Sequence, residues 1–179
     1  MMTTAKKLLV ILAFSLGVSS SAYAVKVGET LPAEVFAKVA GKPLAEVLGN
    51  KPVTIINFWA TWCAACKVEL VEMAELFRKE QGLNYLFISL DSEAKTATSW
   101  LKDNLQDDGF VAGNLLVGAD HATAEALELQ AMPVTLLVDQ KGIVREIHNG
   151  FKPGQGQTEA VLSNALKLKD KISSDPVTH

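Results

Sequence analysis

Cys63-Ala64-Ala65-Cys66 contains both cysteines of this 179-residue chain, two residues apart. The pair stands where one periodicity gives way to another. Pro52-Val53-Thr54-Ile55-Ile56-Asn57-Phe58-Trp59 is apolar and β-branched, and after Cys66 the apolar residues recur at helical spacing. A thiol at the first turn of a helix meets unpaired backbone N–H groups and the positive end of the macrodipole, both of which favour the anion. Its pKa then drops from about 8.5 into the ~3.5–7.5 range. Cys63 is therefore expected to be the nucleophile, and Cys66, one turn on, the thiol that resolves a mixed disulfide.

Other uses of two cysteines fit less well. As a structural staple the pair closes a loop of about four residues and removes little unfolded-state entropy. Zinc asks for four N or S ligands, yet the chain has no second Cys-x-x-Cys, and His121 and His148 lack finger spacing. A copper chaperone could use two thiolates as soft ligands. No histidine or methionine partner stands at useful spacing, and Met132 reads as an apolar gap-filler. His121, His148 and His179 read as surface or structural residues. No metal and no cofactor is expected.

The chain is long enough for one domain with a proper core. Its first 24 residues have the form of a signal peptide. Lys6-Lys7 is a basic start, Leu8 to Val18 an apolar run of eleven, and Ala22-Tyr23-Ala24 a small-residue cleavage site. Eleven falls short of the ~20 residues a spanning helix needs, so cleavage is expected rather than an uncleaved anchor. Val25–His179 then holds 15 basic and 20 acidic residues, a net charge of −5. That balance gives no reason to expect nucleic acid or anionic lipid as a partner. An exported chain with only these two cysteines has no disulfide framework. The pair is there for reactivity.

The elements that must position it follow in order. Val25–Asn50 has turn signals at Gly28, Gly41-Lys42-Pro43 and Gly49-Asn50, and its apolar stretches Val35–Val39 and Leu44–Leu48 suggest an N-terminal hairpin. Pro52–Trp59 is a central strand, apolar enough to be buried on both faces. A helix is expected from about Trp62 to Glu80. At 100° per residue, Met73, Cys66, Phe77, Leu70, Cys63 and Ala74 share one arc of about 100°. Glu69 lies about 60° from Cys66 at the edge of that arc, where it serves either the helix dipole or the cysteines. Leu83–Leu90 is a strand closed by Asp91, Ser92–Leu105 an amphipathic helix, Leu115–Val117 a short strand, and Asp120–Leu129 a helix with Asp120 as its N-cap. Val134–Val138 and Ile143–His148 pair across the turn Asp139-Gln140-Lys141-Gly142. Thr158–Lys171 is the last helix, and 173–179 a frayed tail after a domain spanning 25–172. The pattern is α/β, a mixed central sheet flanked by helices.

Taken together, Asn57-Phe58-Trp59-Ala60-Thr61-Trp62-Cys63-x-x-Cys66-Lys67-x-Glu69, Leu86–Asp91, Met132-Pro133-Val134-Thr135 and Asp139–Gly142 resemble the thioredoxin-like thiol–disulfide oxidoreductases of the TlpA/ResA type. The match runs from about Val27 to Leu168. It implies a thioredoxin-like fold with an added strand–helix segment at about 92–117. It also implies a cis Met132-Pro133 bond lying against the cysteines, where its backbone binds an extended substrate, and a partly buried Glu69 that accepts a proton. Ala64 and Ala65 depart from the family, which usually carries a proline between the cysteines. Val71 stands where a proline often follows, and Asn57 where cytosolic thioredoxins place a buried aspartate.

The resemblance implies an enzyme facing the periplasm or another extracytoplasmic space. It would act as a monomer, reducing disulfides of exported proteins in cytochrome c or copper-site maturation and receiving electrons from a membrane-embedded donor. Trp62, beside the nucleophile, is expected to contact the partner polypeptide together with Met132 and Pro133, while Trp59 packs in the core. A dithiol oxidase of the same fold is the rival direction. Potentials of such couples span about −270 to −120 mV, or about 7 kcal/mol for two electrons, and Ala-Ala does not select among them.

Overall fold

In the computed structural model, which describes residues 24–105, 109–117, 119 and 121–174, the central strand β1 (Val53–Trp59) is buried along its whole length. Its β-branched and aromatic residues suit a strand covered on both faces. β2 (Asn84–Ser89) pairs parallel to one edge of β1, and β4 (Val134–Asp139) antiparallel to the other. β3 (Leu115–Leu116) extends the sheet beyond β2, and β5 (Val144–Asn149) beyond β4, giving the order β3-β2-β1-β4-β5.

α3 (Ala64–Phe77) carries the chain from β1 over the sheet to β2. It begins two residues later and ends three earlier than its apolar period suggests, but buries the expected stripe of Cys66, Leu70, Met73, Ala74 and Phe77. α7 (Gln157–Ser174) lies beside α3, burying Thr158, Val161 and Ala165. It includes Ser173 and Ser174, assigned above to the tail. The sheet and its helices form the expected mixed α/β sandwich.

Two expectations need correction. The N-terminal hairpin is a pair of helices, α1 (Ala33–Ala40) and α2 (Leu44–Leu48). Among the described residues this region pairs with the sheet only through the single bridge Thr30↔Ile143. Pro32 and Pro43 precede the two helices, where a missing N–H is harmless. Gly41 closes α1 in the left-handed conformation, φ 68°, with its N–H on the Ala37 carbonyl at 2.8 Å. The second correction concerns the strand–helix order that the resemblance implies for 92–117. The segment runs helix before strand, as its own residue pattern suggests, with α4 (Ala94–Asn104), α5 (Phe110–Gly113), then β3. Because β3 is parallel to β2, the chain needs a crossover between them, and α4 supplies it.

α6 (His121–Ala126) follows β3. The proposed cap Asp120, residues 1–23 of the proposed signal peptide, and tail residues 175–179 lie outside the described residues. No described helix is long and apolar enough to cross a membrane.

Candidate functional site

β1 leaves the sheet at Trp59, and Ala60-Thr61-Trp62 turns the chain into α3, with Cys63 as its N-cap. The Cys63 N–H donates to the Ala60 carbonyl at 3.1 Å, and its own carbonyl accepts from Lys67 N–H at 3.2 Å. Cys63 Sγ accepts from the Cys66 N–H at 3.2 Å. One of the unpaired donors of the helix end thus points at this sulfur. Cys63 and Cys66 are joined as a disulfide, with Cα atoms 5.3 Å apart. Cys66 is wholly buried and Cys63 is 9% exposed, so of the two cysteines only the first reaches solvent.

β4 runs antiparallel to β1 with Val134 opposite Phe58. The Met132-Pro133 loop therefore lies at the end of the sheet from which Cys63 emerges, and its peptide bond is cis. Pro133 is buried, and its carbonyl accepts from Gly150 N–H at 2.8 Å. Met132 shares a groove of about 540 Å³ with Thr61, Trp62, Leu90, Asp91 and Leu129. Trp62 is 66% exposed. Trp59 is wholly buried and packs on Trp100 with ring centroids 5.5 Å apart, as its core reading requires.

Glu69 lies inside the fold, not at the edge of the apolar arc: it is 3% exposed. Its neighbours come from two strands. Asn57 Nδ2 on β1 donates to Glu69 Oε2 at 2.7 Å and to Thr135 Oγ1 on β4 at 2.9 Å. Asn57 and Thr135 are directly opposite in the antiparallel ladder, which brings the two side chains together. Burial pushes the Glu69 carboxyl up to about 7, against the hydrogen bond from Asn57, which lowers it; nearby Glu72 raises it and Thr135 lowers it. Asn57 Oδ1 and Trp59 Nε1 are buried without hydrogen-bond partners.

A second buried carboxylate sits at the end of β2. Asp91 accepts from Thr61 N–H at 3.1 and 3.3 Å, from Thr61 Oγ1 at 2.6 Å and from Ser89 Oγ at 2.8 Å. It ties the turn ahead of Cys63 to the strand beside it. Sequence reasoning used Asp91 only as a strand end and did not single out Thr61, Ser89 or Thr135. The one available signal was Asn57 and Thr135, polar residues in strands that are mostly apolar.

The structure thus gathers Cys63, Trp62, Met132 and Pro133 at one end of the sheet, with Cys66 and Glu69 beneath. Among the described residues no group of three or more His, Cys, Asp or Glu could hold a metal ion.

Residues 30–147, about two thirds of the sequence, match the AhpC/TSA family. The chain belongs to that family. Within it, the chain is 31% identical to the thiol:disulfide interchange protein DsbE of Escherichia coli over 108 residues, 59% of this chain and 54% of that one. It is 30% identical to the DsbE of Vibrio cholerae over 130 residues, 70% and 66% of the two chains. It is 28% identical to the thiol-disulfide oxidoreductase ResA of Geobacillus kaustophilus over 131 residues, 71% of each. The chain spans about half the length of the first curated relatives it matches. Among solved structures, a thioredoxin-like protein from Parabacteroides distasonis superposes with a TM-score of 0.53 at 16% identity, over 66% of this chain and 85% of that one. That likeness shows the thioredoxin-like fold.

Proposed function

We propose that this chain is an extracytoplasmic thiol–disulfide oxidoreductase that reduces disulfides in other exported proteins. The observation that carries the reading is the Cys63–Cys66 pair, with the outer sulfur at the helix N-cap and the inner one sealed off beneath it. In the reduced protein, the N–H groups of the first helical turn favour the Cys63 thiolate. That thiolate attacks one sulfur of a substrate disulfide, and the other substrate sulfur leaves as a thiolate. Cys66, having given its proton to Glu69, then attacks Cys63 Sγ. The substrate departs with two electrons, and the Cys63–Cys66 disulfide remains.

Trp62 and Met132 flank the groove in which the substrate backbone would lie. The exported location is supported by Lys6-Lys7, the apolar run to Val18 and Ala22-Tyr23-Ala24. The relatives' names support the chemistry, and the resemblance supports disulfides of apocytochrome c or of copper-site proteins as substrates and a membrane-embedded electron donor.

Turnover of a polypeptide disulfide such as insulin, with reduced protein supplied by a small thiol, tests the reading. Wild type should turn over, and Cys63→Ser should lose the activity entirely. Activity that persists in Cys63→Ser overturns it. Equilibration with glutathione should place the couple well below about −200 mV for a reductase; a value near −120 mV would make it an oxidase.

A further inference from the structure

We propose that Asn57 is a positioning residue for the dithiol reaction, its amide turning over between two hydrogen-bond arrangements. It donates to Glu69 and Thr135 when the Glu69 carboxylate is bare, and accepts from them when that carboxyl holds a proton. The inference deepens the function proposed above and rests on it for the origin of the proton.

The geometry is lopsided. Asn57 is wholly buried, its Nδ2 has two acceptors at 2.7 and 2.9 Å, and its Oδ1 has none. An amide offers two donors at one end and two acceptor lone pairs at the other. The observed orientation suits a carboxylate, which only accepts. Once Glu69 carries a proton on Oε2, that O–H meets an N–H, donor against donor. A half-turn about χ2 replaces Nδ2 by Oδ1, and χ2 of asparagine is a broad, two-fold torsion. Oδ1 then accepts from Glu69, and the Thr135 hydroxyl, able to donate as well as accept, rotates to donate to it. Either orientation leaves one end of the buried amide unpaired, so neither wins by satisfying more groups. The balance is left to the proton.

The surroundings leave Asn57 and Thr135 in charge of it. β1 and β4 present no charged group to Glu69, only these two side chains. On its own helix Glu72 opposes ionisation, and from α7 the Thr158 hydroxyl holds Glu72 Oε2 at 2.9 Å. Cys66 lies about one turn before Glu69 on the same helix and Cys63, its N-cap, about two turns before, and both join this set when reduced. In the resolving step the Cys66 S–H proton moves to Glu69 and the amide turns. Cys66 thiolate forms its bond to Cys63 Sγ, and the Cys63–substrate S–S bond breaks. The leaving sulfur carries off the electron pair and takes a proton from water.

The test is a side-chain NMR titration of the oxidised full chain, from about pH 5 to about pH 9, bracketing the carboxyl midpoint. It needs no substrate. The Asn57 amide nitrogen and protons should shift with the same midpoint as the Glu69 carboxyl carbon, near pH 7. Thr135→Val removes a donor that favours the carboxylate and should raise both midpoints together, by on the order of half a pH unit. Thr135→Ser restores the hydroxyl and should return both to the wild-type value. In single turnover, decay of a mixed disulfide preformed at Cys63 should show its pH midpoint moving by the same amount in Thr135→Val. Asn57 signals that stay flat while Glu69 titrates would overturn the proposal, as would equal shifts in the valine and serine variants. If the titrations coincide but the chain exchanges no polypeptide disulfide, the function proposed above falls and the amide coupling stands.

Discussion

Glu69, three residues after Cys66, and Asp91, bonded to Thr61 two residues before Cys63, are both almost fully buried, and the fold treats them in opposite ways. Asp91 has donors on both oxygens: the Thr61 N–H, the Thr61 hydroxyl and the Ser89 hydroxyl. Glu69 receives an amide proton from Asn57 on one oxygen and a weaker contribution from Thr135, with Glu72 nearby, and burial pushes its carboxyl up to about 7. Burial depth is 3% against 4% exposed and does not distinguish them. The number of donors does. A buried carboxylate hydrogen-bonded on both oxygens ties its donors together, whereas a desolvated one with fewer donors has its pKa raised. One end of the sheet thus holds the turn before Cys63 still, while the layer below Cys66 stays responsive to pH.

The comparison breaks most visibly if the tie is removed. Asp91→Ala leaves the Thr61 and Ser89 donors without their acceptor, and each buried unpaired donor costs about 1–3 kcal/mol. Urea denaturation should show a loss of about 3 kcal/mol, and a loss under about 1 kcal/mol would mean that water replaces the carboxylate at no cost.

Glu69→Gln tests the other side through pH. A carboxyl at about 7 when folded and near 4.5 when unfolded binds more proton in the native state between those values. Its stabilisation is therefore complete below about pH 4.5 and is lost as pH rises through about 7, by about 3 kcal/mol in all. Glutamine keeps the volume and lacks the titration. Denaturation at about pH 5 and about pH 8 should show wild type losing stability on going up, and the variant losing less by most of that amount. Parallel behaviour of the two would place the carboxyl outside the titrating set.

A smaller effect sharpens the comparison. Thr61→Val deletes one hydroxyl donor to Asp91 and should lower stability by about 1 kcal/mol, with Thr61→Ser restoring most of it. The smallest concerns Trp62, at 66% exposed. Trp62→Ala should leave stability within about 0.5 kcal/mol while raising KM for a polypeptide disulfide more than for a small aromatic one. Equal changes for both substrates would remove Trp62 from the groove.

Much of this was legible in the residue order. The mostly apolar, β-branched run of β1, the change of period after Cys66 and the turn at Asp139–Gly142 are strong local signals. They placed the cysteine pair and the sheet around it. The N-terminal helices were misread because Val35, Val39 and Val47 favour strands, and runs of five residues do not separate a period of 2 from one of 3.6. The prolines ahead of each run and the closing Gly41 carried the better signal. Glu69 was placed by angle at the margin of the buried arc, and only the side chains from β1 and β4 show that it is enclosed. The Thr61–Asp91–Ser89 tie joins residues up to 30 apart, and nothing along the chain announces that pairing.

The account depends most on Cys63 being the sulfur that meets solvent and Cys66 the one that does not. Brief iodoacetamide treatment of the reduced protein at neutral pH, followed by mass mapping, measures this directly. The account predicts alkylation almost wholly on Cys63, with Cys66 labelled only after denaturation. Label that falls first on Cys66 in the folded protein would contradict it.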